Sequence, residues 1–290
     1  GIRYRHIAGE DQSAADLAVP AGARALERAG LDPDDIDLVL LATSTPDYIG
    51  LPSTACVVQD RLGIKDAGAM DLMAACSGFV YGMETARVYV EAGAARNVLL
   101  IGSEVYSKII NWKDRRSCVL FGDGAGAVVL ERRTDGSRGI MYSTLGADGE
   151  YWEALNCQAH GSRHPAPRPL EDPEKVFMQI KGREVYQQAV RRIVDSVTDC
   201  LNRCNLTLDD VKMVVSHQMN ARIIESAAKR LGLPDEKVFV NISQYGNTSA
   251  ASVPIAFDEC VRTGRIQKGD VFIFVAFGAG VTWGANVIEF

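Results

Sequence analysis

Unbroken apolar runs recur along this chain, separated by stretches in which apolar residues return every three or four positions. The runs at residues 36–43, 97–102, 127–131, 211–216, 237–242, 271–277 and 285–290 are rich in Val, Ile, Leu and Phe and carry little charge. Strands buried on both faces read this way, so the runs predict sheets covered on both sides by helices. Val185, Ala189, Ile193, Val197 and Leu201 recur at four-residue steps and predict a helix over residues 183–204. Ile224, Ala227, Ala228 and Leu231 predict another over 221–231. A third is expected over 13–29, bent or interrupted at Pro20, which lacks the N–H that a helix interior needs. Strands alternating with helices define an α/β protein.

The signals also come twice in the same order. Leu31, Asp35 and Ile36 lead into residues 38–41, followed by Arg61-Leu62-Gly63, a strand, Cys76, a helix, Gly93 and the strand at 97–102. Leu206, Asp210 and Val211 lead into 213–215 and His217. Arg230-Leu231-Gly232, a strand, Asn247, a helix, Gly264 and the strand at 271–277 follow. The step from Cys76 to Gly93 equals the step from Asn247 to Gly264. Such a repeat indicates one fold unit used twice, over residues 1–135 and 136–290, with the turn Asp135-Gly136-Ser137 as the seam. It also sets Asn247 as the partner of Cys76 in the other half.

Composition narrows the class. With 290 residues, 47% of them hydrophobic, the chain can bury a large core as one domain or two fused ones. A net charge of −6 argues against a general nucleic-acid binder. No apolar run approaches the roughly 20 residues that span a bilayer, and no signal-peptide pattern opens the chain. Seven cysteines, an odd number lying mostly in apolar strings, fit reduced thiols in a cytoplasmic protein. The start at Gly1, without an initiator Met, suggests a chain that begins inside a longer natural product. Residues 156–175, with Gly161 and four prolines, read as a long surface loop.

Three residues stand out chemically. Cys76, among Ala74, Ala75, Ser77 and Gly78, falls where a strand gives way to a helix. A thiol there meets the unpaired N–H groups and positive end of the helix, which favour a thiolate nucleophile, although a small buried side chain is equally the common lot of a free cysteine. The other six cysteines lack that setting and read as structural. His217 follows a buried strand, at the strand end where open α/β sheets place ligands. Asn247 is either a helix N-cap or a member of the site. Phe121-Gly122-Asp123-Gly124-Ala125-Gly126 precedes a strand and so does not fit a dinucleotide fingerprint. Phe277-Gly278-Ala279-Gly280 follows one and can bring backbone N–H groups to a substrate oxygen. Cys157, His160 and His164 have metal-like spacing but no fourth ligand nearby. Arg222, Lys229 and Arg230 share one face of the helix at 221–231, a solvated surface or a dock for an acidic partner.

Taken in order, these strings resemble the β-ketoacyl-acyl carrier protein synthase III family of condensing enzymes along essentially the whole chain. The resemblance rests on Gly1-Ile2-Arg3, Arg5-His6-Ile7-Ala8, Ala74 to Gly78, Phe121 to Ala127, His217-Gln218 with Asn220 and Arg222, Gly246 to Pro254, and Phe277-Gly278 to Gly284. It implies a duplicated thiolase-like fold, two βαβαβαββ-type halves in an αβαβα layered core. It implies decarboxylative Claisen condensation of a short acyl-CoA with malonyl-acyl carrier protein, initiating fatty acid synthesis with no cofactor or metal. By the same resemblance Cys76 is the acyl-carrying nucleophile, completed by His217 and Asn247, with backbone N–H groups of Cys76 and Ala279 as oxyanion hole. Arg115, Gly182, Tyr186 and Phe277 would line the CoA and pantetheine tunnel. Arg222, Lys229 and Arg230 would dock the carrier protein, and Leu51 would reach the partner's acyl pocket in a homodimer.

There are departures too. The family's opening strand and helix have no counterpart before Gly1, which points to a trimmed chain. Ala279 interrupts a run of three glycines, and residues 43–51 carry an extra residue near the acyl pocket. A Cys-dependent acyltransferase or condensing enzyme of secondary metabolism would present the same three residues. A non-catalytic partner subunit would lack the nucleophile.

Overall fold

A computed structural model describes residues 1–133, 136, 138–167 and 169–290. The first elements are helix α1 (Ala14–Ala29), strand β1 (Leu38–Ala42), α2 (Thr54–Arg61), β2 (Gly68–Leu72), α3 (Gly78–Glu91), β3 (Asn97–Glu104) and β4 (Gly124–Glu131). After them come β5 (Gly139–Ala147), the two-residue strands β6 (Leu155–Asn156) and β7 (Gln179–Ile180), and α4 (Gly182–Cys204). The chain closes with β8 (Met213–Ser216), α5 (Ala221–Leu231), β9 (Val238–Phe239), α6 (Ile242–Tyr245), α7 (Ser252–Arg262), β10 (Val271–Gly278) and β11 (Thr282–Glu289). One sheet has the order β2-β1-β3-β4 and the other β9-β8-β10-β11-β5. The four strands of the first sheet match the first four of the second, a parallel trio meeting one antiparallel strand, and β5 extends the second sheet beyond β11.

Alternation along the strands builds the layers. Leu38, Leu40, Val98 and Leu100 of the first sheet meet Phe272, Phe274 and Val215 of the second in one core, with Phe79 and Met83 of α3 and Val253 and Ala256 of α7 between them. The intervening residues Val39, Leu41, Leu99 and Ile101 face outward onto Ala15, Ala18 and Leu26 of α1. Val214, Ile273 and Val275 do the same against Ile193 and Val197 of α4. Successive residues of a strand point to opposite faces, so a strand covered twice must be apolar throughout. The result is the αβαβα layering expected of a thiolase-like fold.

Several expectations shift. The helix at 221–231 stands as predicted. Helix α1 runs unbroken through Pro20, because Pro20 lies on the exposed side where the unmade bond opens to water. The run at 237–242 yields only the two residues of β9. Gln218 Oε1 accepts the N–H groups of Asn241 and Ile242 at 3.0 and 3.1 Å, which draws the backbone off the ladder and into α6. The last strand begins at Thr282 instead of 285. Strand β5 was not expected, since Ser143 and Thr144 break its apolar run, as suits a half-buried edge strand. Of the seam, Asp135 and Ser137 lie outside the described residues, as does Arg168 of the loop at 156–175.

The repeat also pairs differently at its chemical end. Ala75 and Ser249 both hold left-handed backbones, at φ 46° and 50°, and each opens a 3₁₀ turn that runs into α3 or α7. In this register Ala250, not Asn247, is the counterpart of Cys76. The equal steps to Gly93 and Gly264 arise because α7, at 11 residues, is shorter than α3, at 14.

Candidate active site

Cys76 lies in the turn Ala75–Ser77 at the start of α3, as the sequence suggested, and is 4% exposed. Strand β10 ends directly against this turn. A Cβ on Gly278 would stand 2.8 Å from Cys76 N, 2.9 Å from Ser77 N and 3.0 Å from Ala74 O, so only glycine fits. Thr282 Oγ1 donates to Ala74 O at 3.0 Å, and Ser77 Oγ donates to Thr282 O at 3.1 Å. These bonds fasten the loop carrying Ala279 to the turn that holds Cys76.

One segment, residues 247–252, holds Asn247 and touches both Cys76 and His217. Ser249 Oγ lies 3.3 Å from Cys76 Sγ. Asn247 Oδ1 accepts the Ser249 N–H at 2.9 Å, which ties its amide to the start of the turn that begins at Ser249. Ser252 Oγ stands 2.6 Å from His217 Nδ1. The segment is held from behind: Asn247 N donates to Leu120 O at 2.9 Å, and Gly122 N donates to Asn247 O at 3.0 Å. A Cβ on Gly122 would meet Tyr245 O at 2.5 Å, which explains the glycine-rich string as a close backbone crossing and not a ligand loop.

His217 ends β8 and is 1% exposed. Among the described residues its Nε2 has no hydrogen-bond partner. Ser252 Oγ accepts the Gln218 N–H at 3.3 Å, and Nδ1 is the acceptor within reach of its own proton. A hydroxyl that donates to Nδ1 leaves the ring proton on Nε2, the nitrogen without a partner among the described residues. Burial lowers the His217 pKa to about 3, which keeps it neutral.

Cys76 departs from expectation. Burial pushes its pKa up to about 12; the Ser249 hydroxyl pulls it down and nearby Glu104 adds to the rise. The helix start does not by itself make a thiolate here, because removing the sulfur from water costs more than the local N–H groups return. Sequence reasoning missed Glu104, Tyr106 and Ser249 around this thiol. Glu104 closes an apolar strand, and a charge inside such a run was the available signal.

The remaining candidates are spread outward. Gly182 opens α4, and Tyr186, one turn on, bonds Ser226 of α5 through its hydroxyl at 2.8 Å. Arg115 is exposed, and Phe277 is buried on β10. Arg222, Lys229 and Arg230 are exposed along α5. Leu51 is 84% exposed beside exposed Tyr48 and Ile49. Among the described residues no group of His, Cys, Asp or Glu could hold a metal, and Cys157 instead donates to Val176 O at 3.3 Å. No helix of the described residues is long and apolar enough to cross a membrane. A cavity of about 400 Å³ between α1, β4 and α7 includes none of the three polar residues, so it and the Cys76 cluster are separate places.

The chain is similar to known proteins along its whole length. Residues 70–149 match 3-Oxoacyl-[acyl-carrier-protein (ACP)] synthase III, and residues 201–290 match its C-terminal family. A Beta-ketoacyl-[acyl-carrier-protein] synthase III of Caldanaerobacter subterraneus subsp. tengcongensis is 51% identical over 290 residues, covering all of this chain and 87% of that one. The crystal structure of 3-oxoacyl-[acyl-carrier-protein] synthase III from Aquifex aeolicus superposes with a TM-score of 0.92 at 41% identity, over 100% of this chain and 88% of that one. The priming β-ketosynthase of the R1128 polyketide pathway superposes at 0.90 with 35% identity, over 99% and 85%. Half the residues shared along the full length, on the same layered fold, make this chain a member of the 3-oxoacyl-[acyl-carrier-protein] synthase III family.

Proposed function

We propose that this enzyme joins an acyl-CoA primer to malonyl-acyl carrier protein by decarboxylative Claisen condensation, with Cys76 carrying the acyl group. The observation that carries this reading is the segment 247–252, which ties the thiol, a neutral Nε2–H imidazole and a side-chain amide into one buried cluster. Cys76 attacks the thioester and expels CoA, giving an acyl-enzyme. The backbone N–H groups of Cys76 and Ala279 receive the oxyanion, a reading supported by the threonine ties between their two loops. Malonyl-carrier then loses CO₂, and His217 Nε2–H with Asn247 Nδ2 stabilise the enolate oxygen. The enolate carbon attacks the acyl carbonyl and releases Cys76, so kinetics are ping-pong.

Surface chemistry extends the reading. The exposed basic face of α5 suits an acidic carrier protein, through Arg222, Lys229 and Arg230. Arg115, Gly182, Tyr186 and Phe277 are assigned to the pantetheine path. A second copy covers the exposed edge strand β2 with Met70 and Met73, and takes Leu51 into its acyl pocket. Residues 1–135 and 136–290 are the two duplicated units. Seven free cysteines fit a reducing cytoplasm.

Mass spectrometry after incubation with a panel of acyl-CoAs tests the central claim. An adduct on Cys76, absent in Cys76→Ser and discharged by malonyl-carrier, is expected; no adduct with any acyl-CoA overturns it. The likeness to the R1128 priming β-ketosynthase favours a second reading, in which the same acyl-Cys76 primes a specialised product. A primer preference away from acetyl-CoA would support it.

A further inference from the structure

Behind Cys76 runs a row of hydroxyls that the reaction above leaves unused. Ser249 Oγ can donate to Cys76 Sγ at 3.3 Å or to Tyr106 OH at 3.2 Å, and with its proton turned to Tyr106 its oxygen is open to the thiol. Tyr106 OH is 2.9 Å from Ser44 Oγ, which donates to Glu104 Oε1 at 2.8 Å. Glu104 is wholly buried, and no cation pairs with it among the described residues. Its other oxygen takes Thr45 Oγ1 at 2.7 Å and the Ser44 N–H at 3.1 Å. The titratable groups that face it are Cys76 and Tyr106. A buried carboxylate without a cation is costly to keep, and an apolar residue at the end of β3 would serve packing alone.

Resting on the reading of Cys76 as nucleophile, we propose that Glu104 takes up the thiol proton through Ser249, Tyr106 and Ser44 and stores it while Cys76 is acylated. Each hydroxyl passes its proton one place along. The S–H proton goes to Ser249, that of Ser249 to Tyr106, that of Tyr106 to Ser44, and that of Ser44 to Glu104 Oε1. Thiol and carboxylate thereby become thiolate and carboxylic acid. Sulfur bonds the acyl carbon, and the tetrahedral adduct collapses by breaking the bond to CoA, which departs as its thiolate. When condensation later expels Cys76 as thiolate, the row runs in reverse and restores thiol and carboxylate. Burial raises the Glu104 pKa, which suits a group that must accept a proton, whereas the raised Cys76 pKa shows why an acceptor is needed. Glu104 never touches substrate; it is a positioning and proton-holding residue.

Single-turnover acylation by acyl-CoA, followed across pH, reads this directly. Glu104→Gln should slow acylation about 100-fold, and its rate should keep rising with pH where wild type levels off. Decarboxylation of malonyl-carrier without primer should be unchanged. Ser249→Ala removes the hydroxyl that meets Cys76 Sγ and so cuts the row at its first link; it should match Glu104→Gln, and it decides the matter if the Glu104 variant does not fold. Infrared difference spectra should show a protonated carboxyl appearing on acylation of wild type and absent in Glu104→Gln. Wild-type acylation rates and pH profiles in folded variants would overturn the relay while leaving Cys76 as nucleophile. Failure of wild type to form an acyl-Cys76 would instead overturn the nucleophile itself.

Discussion

Ser252 Oγ stands 2.6 Å from His217 Nδ1, and this contact leaves Nε2 as the ring nitrogen without a partner among the described residues. Ser252→Ala frees the ring to take the other tautomer, with Nε2 as an acceptor unable to steady an enolate. Malonyl-carrier decarboxylation should fall about 10- to 100-fold, as when a partner that orients a functional histidine is lost. Cys76 acylation should be unaffected, and Ser252→Thr should recover most of the loss.

The low His217 pKa has a pH signature. Free histidine titrates near 6.5, whereas burial holds this ring neutral down to about 3. Decarboxylation should therefore pass through pH 6.5 with no acid limb there. Stability should behave in the opposite way. Between those two values the unfolded chain binds a proton that the folded chain refuses, so unfolding becomes easier as pH falls. Urea midpoints taken from pH 7 to 5 should decline, and His217→Gln should flatten the decline.

Gly278→Ala pushes a methyl to within 2.8 Å of Cys76 N, against backbone atoms that cannot swing aside. Acyl-enzyme formation should be nearly abolished, and thermal unfolding should report a loss of about 1–3 kcal/mol, the usual cost of overpacking.

Arg222→Ala should raise KM for malonyl-carrier about tenfold and reduce its salt dependence, because the exposed charge acts through long-range attraction. Primer acylation from acyl-CoA should stay at the wild-type rate. Equal damage to both half-reactions would show that Arg222 does not face the carrier.

The layers were legible in the sequence because a doubly covered strand has no polar side to disguise it, as in 271–277. Helix α5 was equally plain, since its apolar and basic faces segregate at helical spacing. Cys76 and His217 were visible from their places at strand ends. What the sequence hid was long-range. Strand β9 stops because Gln218, 23 residues away from Asn241, captures the backbone. The partner of Cys76 came out as Asn247 by counting from the helix ends, although the helices differ in length and the left-handed residues set the true register. Ser44, Tyr106 and Ser249 are ordinary hydroxyls whose meeting depends on three separate stretches of chain.

The register of the two halves has a quantitative outcome. Ala250 holds the place that Cys76 holds in the other half, and its methyl lies 3.6 Å from where a Cβ on Gly78 would stand, at the seam between the two helix starts. Duplication supplied two such starts, but only one bears sulfur. Labelled primer should accordingly saturate at one equivalent per chain, and doubling the protein fold has not doubled its loading capacity.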